Sequence, residues 1–193
     1  MSSIHSIAVF CGSRPGNDPA YADAARALGD GLARAGIRLV YGGGRVGLMG
    51  IVADAALAAG GAVLGVIPDF LTKWEVAHQG LAQMVVTDSM HDRKRRMFEE
   101  SDAFLSMPGG IGTLDETIEI ISWRQLRLHD KPILVCDVAG SSAPLVAALE
   151  AAIAHGFAAA TTRTLYEVVQ GVPAVLQRIA TLPAGGGGPT GRL

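Results

Sequence analysis

Cysteine is scarce in this chain: two of 193 residues, Cys11 and Cys136, each inside an apolar, strand-like stretch. That placement predicts buried free thiols and excludes a disulfide framework. No His/Cys cluster has metal-ligand spacing, so no metal is expected. No apolar run reaches the roughly 18 residues that a membrane span needs. The first residues, Met-Ser-Ser-Ile-His, lack a charged segment leading into an apolar one, which predicts no signal peptide and a cytoplasmic location. The formal charge of −2 gives no global attraction to nucleic acid or to an anionic membrane, so any anion site must be local. Lysine is nearly absent too: Lys73, Lys94 and Lys131 are all there are.

What the chain does have is an apolar fraction of 49% and 25 glycines, enough for a real core joined by tight turns. Strand-like and helix-like segments alternate. Ile4 to Phe10, Ile37 to Tyr41, Ala62 to Ile67, Gln83 to Thr87, Ala103 to Met107, Ile133 to Asp137 and Tyr166 to Val169 read as strands. Between them, Pro19 to Ala35, Leu48 to Ala59, Ser89 to Glu100, Thr117 to Leu128, Ala143 to His155 and Val172 to Ala180 read as helices. Such alternation predicts an α/β domain with a parallel sheet covered on both faces. One domain is expected over residues 1–183, followed by a disordered glycine-rich tail over 184–193. The polar stretch Asp69 to Gly80, with Lys73, Trp74, Glu75 and His78, breaks the pattern where such a sheet has its carboxyl-end crevice.

Three stretches carry chemistry. In the first, Pro108-Gly109-Gly110-Ile111-Gly112-Thr113-Leu114-Asp115-Glu116 follows a strand and leads into a helix. Glycines allow close backbone approach to a ligand, and free N–H groups at a helix start favour an anion. The stretch reads as a phosphate cradle with a carboxylate, Glu116, one helical turn in. A capping box, Thr113-x-x-Glu116, is the structural alternative. In the second, Gly42-x-Gly44-x-x-Gly47 matches the dinucleotide fingerprint, with Asp69 near where a ribose-binding acid would stand. The fingerprint normally occupies the first strand–helix turn, whereas this is the second. A mononucleotide held between the two glycine turns is the simpler account. In the third, Met90-His91-Asp92-Arg93-Lys94-Arg95-Arg96-Met97 spreads four cations around a helix, which rules out one flat nucleic-acid patch. Arg93 shares the apolar side with Met90 and Met97, so its guanidinium needs an anion. Arg95 and Arg96 read as solvated surface, while His78 and His91 suit either general-acid or structural roles.

Tyr41 to Gly50, Met90 to Lys94 and Pro108 to Glu116 together resemble the Lonely Guy family, the cytokinin riboside 5′-monophosphate phosphoribohydrolases often labelled lysine decarboxylases. The likeness runs from the Cys11-Gly12-Ser13 loop to about Pro132. It implies a single-domain, Rossmann-like, doubly wound parallel sheet, usually dimeric. The implied reaction is hydrolysis of the N-glycosidic bond of N6-modified adenosine monophosphates, with no cofactor. It further implies catalytic roles for Arg93 and Glu116. Glu75, Lys94, Met90 and Ser122 (a threonine in plant members) become substrate contacts. So do Gly12, Ser13, Gly43, Gly44 and the run Gly109, Gly110, Ile111, Gly112, Thr113, Leu114 and Asp115. Cleavage of plain AMP and non-catalytic nucleotide binding remain open alternatives. Pyridoxal-dependent decarboxylation does not, because it needs a Schiff-base lysine and none of the three is suitably placed.

Overall fold

The computed structural model describes residues 4–72 and 77–183. Glu75, Lys73 and Trp74 lie outside the described residues, as does the 184–193 tail. Seven strands form one all-parallel sheet: β1 (Ser6–Phe10), β2 (Arg38–Tyr41), β3 (Val63–Pro68), β4 (Gln83–Thr87), β5 (Ala103–Ser106), β6 (Ile133–Asp137) and β7 (Glu167–Gln170). Their order is β4-β3-β2-β1-β5-β6-β7, giving the single α/β domain expected. Among the described residues six α-helices cross between or follow the strands: α1 (Pro19–Arg34), α2 (Gly47–Ala58), α3 (Met90–Glu99), α4 (Ile111–Gln125), α5 (Ala143–Ala154) and α6 (Gly171–Thr181).

Strand periodicity sorts the core into two layers. Ile7, Val9, Leu39, Tyr41, Ala103 and Leu105 face α1, α2 and α6, where they meet Leu28, Leu32, Val52 and Val175. The intervening Ala8, Phe10, Val40 and Phe104 face Met97 and Phe98 of α3 and Ile120 and Ile121 of α4. Side chains alternate across a strand, so a sheet buried on both faces needs apolar residues at every position. All five residues of β1 are buried.

From β1 the chain works outward to β4 at one edge, and α3 then carries it back to β5 on the other side of β1. The carboxyl ends of β1 and β5 therefore diverge into a crevice, the topological switch point where such sheets place ligands. Cys11 and Cys136 are both buried and unbridged, as expected.

Two alternatives left open by the sequence are decided. Helix α4 begins at Ile111, ahead of the apolar spacing read from Thr117, with Gly110 as its extended N-cap. Gly112 is thus helical despite its low propensity. Thr113 is consequently inside the helix and cannot be the N-cap of a capping box. Its side chain packs instead over Gly109, where an added Cβ would fall 2.1 Å from Thr113 Oγ1. The second concerns α2. The carbonyl of Gly12 accepts hydrogen bonds from the N–H groups of Leu48 (2.9 Å) and Met49 (3.3 Å). The start of α2 is therefore capped by the chain itself, which removes the anion-binding end that the dinucleotide fingerprint requires.

Candidate active site

At the switch point lies a cavity of about 220 Å³ lined by Cys11, Gly12, Ser13, Gly42, Met49, Leu71, Met90, Arg93, Gly110, Ile111, Gly112, Thr113 and Glu116, with Val9 beneath. Three elements converge on it. The loop after β1 is drawn in by Gly12, whose N–H donates to Pro108 O at 3.0 Å. The glycine turn after β5 opens α4, and no side chain caps that helix. Its first N–H groups remain suited to an anion.

Helix α3 supplies the cation. Ser89 caps it by accepting from Asp92 N at 3.0 Å and donating to Asp92 Oδ2 at 2.6 Å. That fixes where Arg93 emerges, one turn in and only 5% exposed. Its Nη2 donates to the Gly42 carbonyl at 3.3 Å and lies 3.8 Å from Glu116 Oε1. Its Nη1 contacts Met90 Sδ at 3.8 Å, and its Nε has no hydrogen-bond partner among the described residues. Glu116 is 8% exposed. The cavity wall thus holds a buried guanidinium beside a buried carboxylate, with donor capacity unspent. Burial, with the Glu116 charge second, pushes the Cys11 thiol well above its ordinary range, although Arg93 opposes this. Cys11 stays protonated and supplies no thiolate nucleophile.

Other sequence-predicted residues stand elsewhere. Lys94 does not line the cavity; its Nζ bridges Glu119 Oε2 (2.9 Å) and Asp115 Oδ2 (3.2 Å), tying α3 to α4. Burial opposes that ammonium, but the bonds to Glu119 and Asp115 outweigh it and raise its pKa. Gly43 and Gly44 serve the backbone. Gly43 has φ of 75°, and Gly44 pairs with Ala77. Gly109 lines a neighbouring cleft. Leu114 and Ser122, both on α4, are not among the residues that line the cavity. His78 is structural: it is buried, its Nε2 meets Asp54 Oδ1 at 2.9 Å, and its Nδ1 accepts from Gly80 N at 3.1 Å. His91 is exposed. Arg95 and Arg96 pair at the surface with Asp92 and Glu100. Sequence reasoning missed Cys11, Met49 and Leu71 as cavity walls. Their apolar character signalled burial and nothing more specific.

A family model described as "Possible lysine decarboxylase" matches residues 49–179. The chain is 45% identical over 159 residues to a probable cytokinin riboside 5′-monophosphate phosphoribohydrolase of Oryza sativa subsp. japonica, covering 82% of this chain and 71% of that protein. It is 42% identical over 175 residues to the cytokinin riboside 5′-monophosphate phosphoribohydrolase of Rhodococcoides fascians, covering 90% and 88%. Among solved structures, the molybdenum cofactor binding protein of Rippkaea orientalis superposes with a TM-score of 0.69 at 22% identity, covering 93% of this chain and 96% of that one. That likeness concerns the fold. No lysine lines the cavity, so the decarboxylase description finds no Schiff-base residue among the described residues. With motifs, sheet order and relatives in agreement, the chain belongs to the Lonely Guy family, to which the cytokinin riboside 5′-monophosphate phosphoribohydrolases belong.

Proposed function

We propose that this protein hydrolyses the N-glycosidic bond of N6-modified adenosine 5′-monophosphates, releasing the free base and ribose 5-phosphate. The observation that carries this reading is the Arg93–Glu116 pair, 3.8 Å apart, facing a cavity that ends on the uncapped start of α4. The N–H groups of residues 111–113 take the 5′-phosphate. Phosphate binding then positions the glycosidic bond, so that energy gained at a remote group serves the reacting one. Cleavage passes through an oxocarbenium-like state. Glu116 stabilises the positive charge developing on the ribose and orients the attacking water. Arg93 stands 3.8 Å from Glu116 and donates to the ligand through its unspent N–H groups. Lys94 acts through its bridge to α4, not by touching substrate, and Glu75 keeps the substrate contact that the family resemblance implies.

A homodimer is part of the proposal. Ile111 (88% exposed), Leu114 and Ile118 form an exposed apolar stripe along α4, a feature that marks interaction surfaces. Ser122 lies on that same side by helical spacing, so it reaches substrate only across such an interface. A cytoplasmic location is consistent with there being no helix long and apolar enough to cross a membrane among the described residues.

The test is release of free base from N6-isopentenyladenosine monophosphate, AMP and the unphosphorylated riboside, with Glu116→Gln as control. Loss of turnover in the control with binding retained supports a catalytic carboxylate. Equal release from AMP makes the enzyme a general nucleotide hydrolase. Binding without any release favours a carrier, a reading that the fold shared with the molybdenum cofactor carrier protein of Chlamydomonas reinhardtii keeps in view (TM-score 0.68).

A further inference from the structure

A chain with a formal charge of −2 repels a phosphate dianion at long range, so attraction must come from local cations. Most cations here are already committed. Arg26, Arg34, Arg38, Arg93, Arg95, Arg96, Arg163 and Arg178 are in ion pairs. Arg124 donates to Leu165 O. Among the described residues, Arg14, Arg45 and Arg127 remain without an acceptor.

Two of these three stand together at the switch point. Arg14 follows β1 and Arg45 follows β2, and the two loops touch. A Cβ on Gly47 would fall 2.3 Å from Ser13 C and 2.4 Å from Arg14 N. Arg14 also lines a cleft of about 750 Å³ that shares Gly12, Ser13, Gly110 and Ile111 with the catalytic cavity. Among the described residues no aspartate or glutamate lines that cleft, and Arg14 is its one charged residue. Both side chains are exposed. Their charge therefore carries no burial cost while they wait for a partner.

We propose that Arg14, assisted by Arg45, recognises the 5′-phosphate from the solvent side while the start of α4 binds it from within. This rests on the nucleotide reading above and deepens it. The backbone cradle supplies donors but little net charge. A guanidinium adds a full charge and a two-pronged donor matched to phosphate oxygens. Arg14 thereby sets the preference for the nucleotide over its riboside, and Arg45 adds attraction at longer range.

The test uses calorimetric titration of AMP and adenosine into the Glu116→Gln protein, so that turnover does not consume ligand. Arg14→Ala, Arg45→Ala, the double variant and Arg127→Ala are compared in that background. Arg127 is the matched control, since its loop after α4 lies at the opposite end of the sheet. Arg14→Ala is expected to weaken AMP binding about 10- to 100-fold, the range of a charge-assisted hydrogen bond. The preference for AMP over adenosine should shrink by the same factor, and Arg14→Lys should recover part of it. The double variant should also lose most of the salt dependence of AMP binding. Unchanged AMP affinity in the double variant overturns the inference, as does an equal loss in Arg127→Ala. If the parent protein binds AMP no better than adenosine, the phosphate cradle fails as well. If it binds AMP tightly and the arginine variants do too, the inference alone fails.

Discussion

The sharpest consequence of this geometry concerns Gly42, which touches the active site with backbone alone. A Cβ built there would lie 2.0 Å from Arg93 Nη2, 3.1 Å from Arg93 Cζ and 3.1 Å from Met49 Sδ. Ordinary van der Waals contact begins at 3.4 Å, so the guanidinium of a Gly42→Ala protein must retreat by about 1.4 Å. Both close contacts are the ends of flexible side chains, so the main chain need not move. The substitution also lowers the entropy of the unfolded chain, worth about 0.4–1 kcal/mol in favour of folding. Against that gain, the lost bond from the buried Arg93 to the Gly42 carbonyl costs about 1–3 kcal/mol, so the melting temperature should fall by no more than about 8 °C. Activity should not survive so well. Arg93 would lose its 3.3 Å bond to the Gly42 carbonyl and its 3.8 Å register with Glu116. A misplacement near 1 Å can cost about 100-fold in rate. Gly43 next door should fail in the opposite way. Its φ is 75°, and a Cβ would press on Ile67 at 3.0 Å and Met84 at 3.1 Å, so Gly43→Ala should lower stability first. The assay is base release from the monophosphate alongside a melting curve for each variant. A Gly42→Ala protein with native melting and a rate within threefold of wild type would refute the claim that this carbonyl and this missing side chain aim Arg93.

Other expectations follow from the same contacts. Lys94→Met, which keeps the stem and removes the bridge to Asp115 and Glu119, should reduce turnover more than binding. An unchanged kcat would show that α3 and α4 hold their register without it. His129 is buried between Phe98 and Phe104, with Nε2 bonded to Ile120 O at 3.0 Å. Burial lowers its pKa below the ordinary 6.5, opposed by the Ile120 bond and reinforced by Arg124 and Lys131. The unfolded chain then binds a proton that the folded chain refuses, so stability should decline as pH falls through 6.5 and go on declining to the depressed folded value. His129→Phe should flatten that portion of a stability–pH curve, and an unchanged slope would place the acid sensitivity elsewhere. Finally, Ile118→Glu should abolish dimers measured by light scattering if the apolar stripe on α4 is the contact; persistent dimers would move the interface to another face.

The sheet was legible because its cause is local. Apolar runs such as Ile7 to Phe10 and Val63 to Ile67, separated by helical periods and glycines, leave few alternatives to a parallel sheet covered on both sides. Helical spacing likewise put Arg93 among Met90 and Met97, and burial follows. Glycine's propensity argues for a turn ahead of α4, so the sequence left Thr113 open as a capping residue. Only packing shows that Gly110 is the N-cap of α4 and that Gly109 is glycine because Thr113 sits on it. The Gly42–Gly47 turn shows the same limit more clearly. Its spacing reads as a dinucleotide fingerprint, yet the Gly12 carbonyl, from a loop far away in sequence, occupies the N–H groups of α2. Lys94 and Arg93 are neighbours in the chain and both reach α4, yet about 100° of helix turn per residue sends Arg93 to Glu116 and the Gly42 carbonyl at the cavity and Lys94 to Asp115 and Glu119 outside it. The sequence by itself determined the parallel α/β sheet, the buried cation and the glycine-rich helix start, since each rests on local pattern and solvation. Tertiary structure alone decided which helix start stayed free for an anion, which carboxylate met Arg93, and which arginines were left unpaired beside it. Those outcomes depend on groups distant in sequence competing for the same hydrogen bonds.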